Sequence, residues 1–393
     1  MTSISRRSAL RTLSAFAGLH AAGGQIFADP APTALEKAFD ELVAKEGFTS
    51  DGPGLAVMSR QSGGPRHGQV FVRGVGLARL KDRTPVTPDT MFELASVSKI
   101  MTATAVLQLH DQKKLAVTDD IRKHIPELPE YSRAQPIRIR DLLQHTSGLA
   151  SYFDFQDVPA KNQEYWVNDD YIGEFARQKI PQTFPAGARH EYNNSNYLVL
   201  AVLIARVSGK SYGGFLRESI FGPAGMKTAF VSEGPGSIPK VAGREDAIGY
   251  VQADGSWREE WSVPPHRQET LLTCGDGAIW CSARDMAAWD AFVHGGQMLK
   301  PATVKLALTP SKTRDGKTNG NGLGWALYYE GAKLAGYWHS GGWGGFGTYY
   351  YHDIASGRSI AMLGNGRPLD MDKFWYALTA LLDQGFALDR GGE

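Results

Sequence analysis

Ser96-Val97-Ser98-Lys99 sets a hydroxyl and an ammonium three residues apart, and on a helix that spacing puts both groups on one face. From Ser96 to Leu109 the residues are apolar or small all the way round, with Lys99 the only charge, which predicts a buried helix. Removing water from a lysine disfavours its charged form, so Lys99 is a candidate proton acceptor for Ser96. The N–H groups at the helix start suit an oxyanion formed beside them. A helix cap at Ser96 with a snorkelling lysine accounts for the same four residues without chemistry. A second Ser-x-x-Lys, Ser237-Ile238-Pro239-Lys240, is broken by proline and followed by no buried helix.

Tyr192-Asn193-Asn194 closes a polar loop that feeds a helix. A tyrosine beside a lysine can pass protons between nucleophile and leaving group, and an asparagine amide can hold a substrate carbonyl and the lysine together. The alternative is a turn followed by an Asn cap. Tyr337-Trp338-His339-Ser340-Gly341-Gly342 reads as a strand end. His339 there could orient a substrate carboxylate or carbonyl, and the glycines would let substrate lie along the strand edge, where a backbone N–H completes an oxyanion hole. An ordinary strand end before a glycine turn is the competing reading. Trp338 and Trp343 either flank the cleft or pack under the sheet, and His145 reads as structural. Gly342 to Gly347 fits G-x-G-x-x-G, but strand-like Thr348 to Tyr351 follows where a dinucleotide fold needs a helix. No G-x-S-x-G elbow, Walker loop or H-E-x-x-H is present.

The elements that must carry these groups follow from periodicity. Helical spacing runs over 34–45, then short β-rich runs cover 54–59 and 69–75. Helical segments cover 139–144, 170–179, 197–207 and 283–294. Strands return at 325–329, 337–339, 347–352 and 359–364, before a closing helix over 371–382. Strands at both ends around a helical middle imply one sheet built from both termini.

Length and charge narrow the partners. The 393 residues carry 42 Lys plus Arg against 41 Asp plus Glu, a net charge of +1, so no broad basic field awaits nucleic acid or anionic lipid. The expected partner is a small molecule or short peptide. Cys274 and Cys281 are too few for a disulfide scaffold; buried thiols are the default and a single disulfide the alternative. Arg6, Arg7 and Arg11, with no acid among them, precede an uncharged stretch to Ala28, which reads as a twin-arginine export signal over 1–28. Cleavage after Ala28 is preferred over Ala22, and the mature protein would then be slightly acidic, periplasmic or secreted. No later stretch stays apolar for the roughly 18 residues a membrane span needs, so a soluble mature chain is expected.

Ser-x-x-Lys, Tyr-x-Asn and His-Ser-Gly occur in that order, about a hundred and then about a hundred and fifty residues apart. In this the sequence resembles the serine β-lactamase and penicillin-binding protein superfamily. The resemblance is to the branch of class C β-lactamases, DD-peptidases, D-aminopeptidases and β-lactamase-like carboxylesterases. Phe92-Glu93-Leu94-Ala95, the run from Ile139 to Leu149, Gly225-Met226-Lys227-Thr228 and Ser282-Ala283-Arg284-Asp285-Met286 add to it. The resemblance implies an α/β fold, an antiparallel sheet flanked by helices (residues 29–92 and 320–393), joined to a mainly helical lobe (93–319). It implies that Ser96 is acylated, that Lys99 helps to activate it, and that Tyr192 is the general base and acid. Asn194 would contact lysine and substrate, His339, Ser340 and Gly341 would bind substrate, and the N–H groups of Ser96 and Gly342 would form the oxyanion hole. No metal or organic cofactor is implied.

The implied activity is hydrolysis of an amide or ester in a D-amino-acid peptide or a short-chain ester. A class C-like β-lactamase is the alternative. His339 stands where those enzymes usually carry lysine, and a histidine is mostly neutral at pH 7, which argues against efficient β-lactam turnover. A non-catalytic binder of cell-wall fragments is the alternative of another kind. Oligomeric state is not readable from the sequence.

Overall fold

A computed structural model of the chain describes residues 33–64, 67–154, 166–234, 246–260, 272–366, 374 and 377–382. The proposed export signal and the second Ser-x-x-Lys lie outside the described residues.

Helix α1 (Ala34–Lys45) starts at a capping box in which the Thr33 hydroxyl accepts from Glu36 N–H and the Glu36 carboxylate accepts from Thr33 N–H. Strands β1 (Leu55–Gln61), β2 (Val70–Val75), β3 (Leu77–Arg79), β4 (Thr84–Pro85) and β5 (Met91–Glu93) follow. A 3-10 turn, Ala95–Val97, then opens α2 (Ser98–Asp111). The middle holds α3 (Ile139–Leu143), α4 (Asn168–Gln178), α5 (Asn194–Ser208), α6 (Tyr212–Leu216) and α7 (Gly222–Ala224). Short strands β6 (Phe230–Val231), β7 (Tyr250–Ala253), β8 (Ser256–Glu259) and β9 (Ile279–Ser282) lead to α8 (Ala283–His294) and α9 (Pro301–Ala307). Strands β10 (Ala326–Glu330), β11 (Lys333–Trp343), β12 (Phe346–Asp353) and β13 (Arg358–Gly364) come last, and residues 374 and 377–382 are helical.

The main sheet is antiparallel in the order β10-β11-β12-β13-β1-β2, so the two ends of the chain meet where Leu55 faces Gly364. Alternation along β1 decides what each face covers. Leu55 and Val57 pack with Leu35, Phe39, Val43, Phe374, Leu378 and Leu382, whereas Ala56 and Met58 join the larger core on the other side. Helix α8 lies against β1, β2 and β13 on that second face. The core continues into α2, buried from Ser98 to Leu109, and α5, buried from Ser195 to Ile204. No single helix among the described residues is long and apolar enough to cross a membrane.

Two expectations need correction. The buried helix begins as a 3-10 turn at Ala95 and becomes α-helical only from Ser98. Strand β11 runs over 11 residues rather than the three at 337–339. Gly336, Gly341 and Gly342 have little strand preference of their own, and pairing with β12 from Gly336 to Trp343 overrides it. Strand β10 pairs β11 only as far as Ala326 opposite Trp338, so the edge from His339 onward is not covered by β10.

One buried side chain ties the sheet to the connecting loops. Asn365 accepts from Gly54 N–H at 2.6 Å and donates to the carbonyls of Leu77, Ala78 and Ile248 at 3.2, 2.9 and 2.9 Å. Gly54 N–H, Leu77 O and Ala78 O each keep a backbone partner, so Asn365→Ala removes second bonds from them and a side-chain donor from Ile248 O; urea denaturation should show a loss of about 1–3 kcal/mol.

Candidate active site

Ser96 is presented by a backbone that local preference would not choose. Ala95 has φ +47°, a left-handed conformation that costs a non-glycine residue about 1–3 kcal/mol. The turn is clamped on both sides: Leu94 N–H donates to Ile279 O at 2.8 Å, and Thr348 Oγ1 donates to Leu94 O at 2.6 Å. One helical turn on, Lys99 is fully buried, with Nζ 2.9 Å from Ser96 Oγ and 2.7 Å from Asp276 O. The i,i+3 spacing thus delivers the shared face that the sequence predicts.

Tyr192 arrives from the loop before α5, with its hydroxyl 2.8 Å from Ser96 Oγ and its ring 5.1 Å from Lys99 Nζ. About half of the Tyr192 side chain is exposed, so the phenol also faces the cleft. His145, read from the sequence as structural, packs behind it with ring centroids 4.5 Å apart. Its Nδ1 accepts from Asn193 N–H at 3.1 Å, and its backbone carbonyl accepts from Glu191 N–H at 2.9 Å. Burial first, then the charge of Lys99, hold His145 well below the usual histidine range, so it is a neutral acceptor that fixes the tyrosine loop.

Asn194 is the first residue of α5, behind the Asn193 cap. It makes no hydrogen bond to Lys99 among the described residues: the lysine's second bond goes to Asp276 O instead. Asn194 Oδ1 is buried and has no partner there.

Strand β11 brings the third motif to the same place. A Cβ on Gly341 would lie 2.9 Å from Ser96 N, 2.5 Å from Leu94 O and 2.4 Å from Thr348 Oγ1, so only glycine lets the strand approach Ser96 this closely. Gly342 follows, paired with Gly347, and Ser340 is exposed on the same stretch. His339 is half-buried, 6.4 Å from the Tyr192 ring, and its Nδ1 lies 2.6 Å from Ser340 O. A carbonyl only accepts, so Nδ1 carries the proton. Burial and the nearby Lys99 charge push His339 down to about 4, so it is uncharged at pH 7.

A cavity of about 430 Å³ opens beside these groups, lined by His339, Tyr192, Leu143, Trp325, Leu327 and Trp338. Trp338 therefore borders the cleft, while Trp343 packs 6.0 Å from Phe153. Trp325 and Leu327 were not singled out in the sequence, where they are two more apolar positions of a strand. Cys274 and Cys281 are free and buried, as the default reading has it. Asp290, His294 and His352 offer ligand atoms within 4.8 Å of one another, but these atoms are already engaged. Arg60 and Tyr350 hydrogen-bond the Asp290 carboxylate, Tyr337 OH lies 2.6 Å from His294 Nε2, and His352 Nδ1 lies 2.8 Å from Ser359 Oγ.

Two measurements check this geometry. Gly341→Ala should fold but lower any reaction at Ser96 by about a hundredfold, because the strand must back away from that residue. The His339 ring should titrate by NMR near pH 4 rather than at the unshifted 6.5. Because the unfolded state then binds the extra proton first, stability should fall as pH drops through that window.

The chain matches the Beta-lactamase family over residues 35–384. It is 29% identical to a penicillin-binding protein of Bacillus subtilis (strain 168), covering 75% of this chain and 65% of that one. It is 28% identical to the D-aminopeptidase of Brucella anthropi, covering 66% of this chain and 46% of that one, so it spans about half to two thirds of these relatives' length. Among solved structures, a penicillin binding protein from Bacillus halodurans superposes with a TM-score of 0.70 at 22% identity, over 89% of this chain and 99% of that one. The D-amino acid amidase from Ochrobactrum anthropi SV3 does so with a TM-score of 0.68 at 21% identity, over 91% and 99%. The strained serine turn, the buried lysine and the glycine strand edge thus sit on the β-lactamase/transpeptidase-like fold, and the chain belongs to the Beta-lactamase family.

Proposed function

We propose that the protein is an exported serine hydrolase that cleaves an amide or ester bond through an acyl-enzyme on Ser96. The observation that carries this reading is the convergence of three remote segments: Ser96 Oγ has Lys99 Nζ at 2.9 Å and Tyr192 OH at 2.8 Å, with Gly341 against its backbone N–H. Lys99 takes the hydroxyl proton as Ser96 Oγ attacks the carbonyl carbon. The Ser96 and Gly342 N–H groups face the tetrahedral oxyanion. Tyr192, which faces the cleft, supplies a proton to the departing amine or alcohol, and water then hydrolyses the acyl-serine with the roles reversed. Asn194 Oδ1, buried and unpartnered among the described residues, is suited to a substrate N–H.

The substrate class follows from the charge of the cleft. An uncharged His339 offers no cation for the carboxylate of a β-lactam, so a D-amino-acid amide or peptide, or a short-chain ester, fits better than a β-lactam. The relatives named D-aminopeptidase and D-amino acid amidase support that preference. The retained serine, lysine and tyrosine favour an enzyme over a binder of cell-wall fragments. The paired arginines of the first 28 residues support export to the periplasm or beyond.

A fluorophosphonate probe followed by peptide mapping tests nucleophile and activity together. Labelling should fall on Ser96 and vanish in Ser96→Ala. Lys99→Ala and Tyr192→Phe should each slow it by about 100-fold or more, with thermal melts establishing that each variant is folded. An unlabelled, well-folded protein favours the binder. Turnover of p-nitrophenyl butyrate should exceed that of nitrocefin.

A further inference from the structure

Lys99 is aimed at Ser96 by its bond to Asp276 O, and that carbonyl belongs to a turn, residues 274–278, that would not form unaided. Gly275 has φ +97° and Ala278 φ +68°. Gly275 is pressed so close to α5 that a Cβ there would lie 2.3 Å from Tyr197 O. Neutral groups pin the start of the turn. Asn168 accepts from Cys274 N–H and donates to Cys274 O, both at 2.9 Å, and Thr102 Oγ1 donates to Gly275 O at 2.6 Å. Carboxyl groups pin its end. Glu93 Oε1 accepts from Ala278 N–H at 3.1 Å, and Tyr152 OH donates to Asp276 Oδ2 at 2.7 Å. Asp276 Oδ1 is buried with no partner among the described residues.

An amide would hold the turn as well as a carboxyl does, without the larger penalty of burying an ionisable group. Two buried acids beside a buried lysine therefore point to charge as their use. We propose that Glu93 and Asp276 are positioning residues for Lys99: they clasp the 274–278 turn that anchors the lysine, and their negative charge stabilises the ammonium formed as Lys99 takes the Ser96 proton. This rests on the reading of Ser96 as nucleophile. The charged and titratable groups facing Glu93 are Lys99 and Asp276; those facing Asp276 are Glu93, Lys99, Tyr152, Tyr171, Tyr212 and Cys274. Burial, helped by Asp276, pushes the Glu93 carboxyl up to about 7, so its charge appears within the working pH range. Burial also raises Asp276, against the pull of Lys99.

The test is the second-order rate of fluorophosphonate labelling from about pH 5 to about pH 9, in the wild-type chain, Glu93→Gln, Glu93→Ala and Ser96→Ala. The wild-type rate should contain a rise centred near pH 7. Glu93→Gln keeps the acceptor oxygen but not the charge; it should lack that rise and be about tenfold slower at the alkaline end. Glu93→Ala loses the clasp as well and should be about a hundredfold slower throughout, with Gln restoring most of the difference at acid pH. Thermal melts establish that each variant is folded. A labelled wild type whose profile superposes on that of Glu93→Gln overturns this proposal alone. A folded wild type that takes no label overturns the nucleophile assignment and the proposal with it.

Discussion

A lysine with no exposed surface is the constraint around which the rest of this molecule is arranged. Burying a charge is strongly unfavourable unless partners replace the lost water. Here Ser96 Oγ and Asp276 O supply two acceptors, and the rings of Tyr192 and Tyr197 stand 5.1 and 5.6 Å from Nζ. Each partner comes from a different stretch of chain: the turn after β5, the loop before β9, the loop before α5 and α5 itself. Satisfying the lysine therefore brings together much of what the chemistry needs, and the same contacts join the sheet to the helices. Gly341 on β11 completes the arrangement by closing on Ser96 N from the far side.

That dependence explains what could be read from the sequence. Helix α2 stood out because Lys99 is the only charge from Ser98 to Leu109, and its interior position makes that lysine conspicuous. The two ends of the sheet were legible because β1 and β13 are short apolar runs bounded by turn residues, and their pairing needs no cue beyond strands at both termini. Tyr192 and His339 were found as motifs, through resemblance, since neither is distinctive alone. The 274–278 turn was missed for a physical reason. Its role lies in a backbone carbonyl, which any residue has, and in φ values that Ala278 adopts against its preference. Glu93 was quoted only as part of a familiar run, because one acid in a strand carries no mark of burial. His145 likewise acts through the tyrosine it backs.

Charge logic links the cleft to substrate choice. Burial first, and the neighbouring Lys99 second, keep both His339 and His145 uncharged beside Ser96. The exposed stretch of β11 then leaves an uncharged ring and backbone groups beside a cavity walled by Trp325, Trp338 and Leu327. On the proposed function, recognition would rest on shape, apolar contact and hydrogen bonds along the strand edge. A lysine at position 339 would reverse that balance, at the expense of placing a second ammonium near the first.

Strain is distributed in the same pattern. Among the described residues, the non-glycine positions with positive φ include Ala95, His145 and Ala278, and these three flank Ser96, the tyrosine loop and the lysine anchor respectively. A left-handed alanine persists only where its surroundings over-determine it. Leu94 and Thr348 do so for the first, Asn193 and Glu191 for the second, and Glu93 for the third. The two hydrophobic clusters that hold the sheet between its helices provide the stability against which this strain is kept. Relaxing any one of the three backbones would move Ser96, Tyr192 or Lys99 relative to the other two, and Ser96 Oγ would no longer be held from both sides.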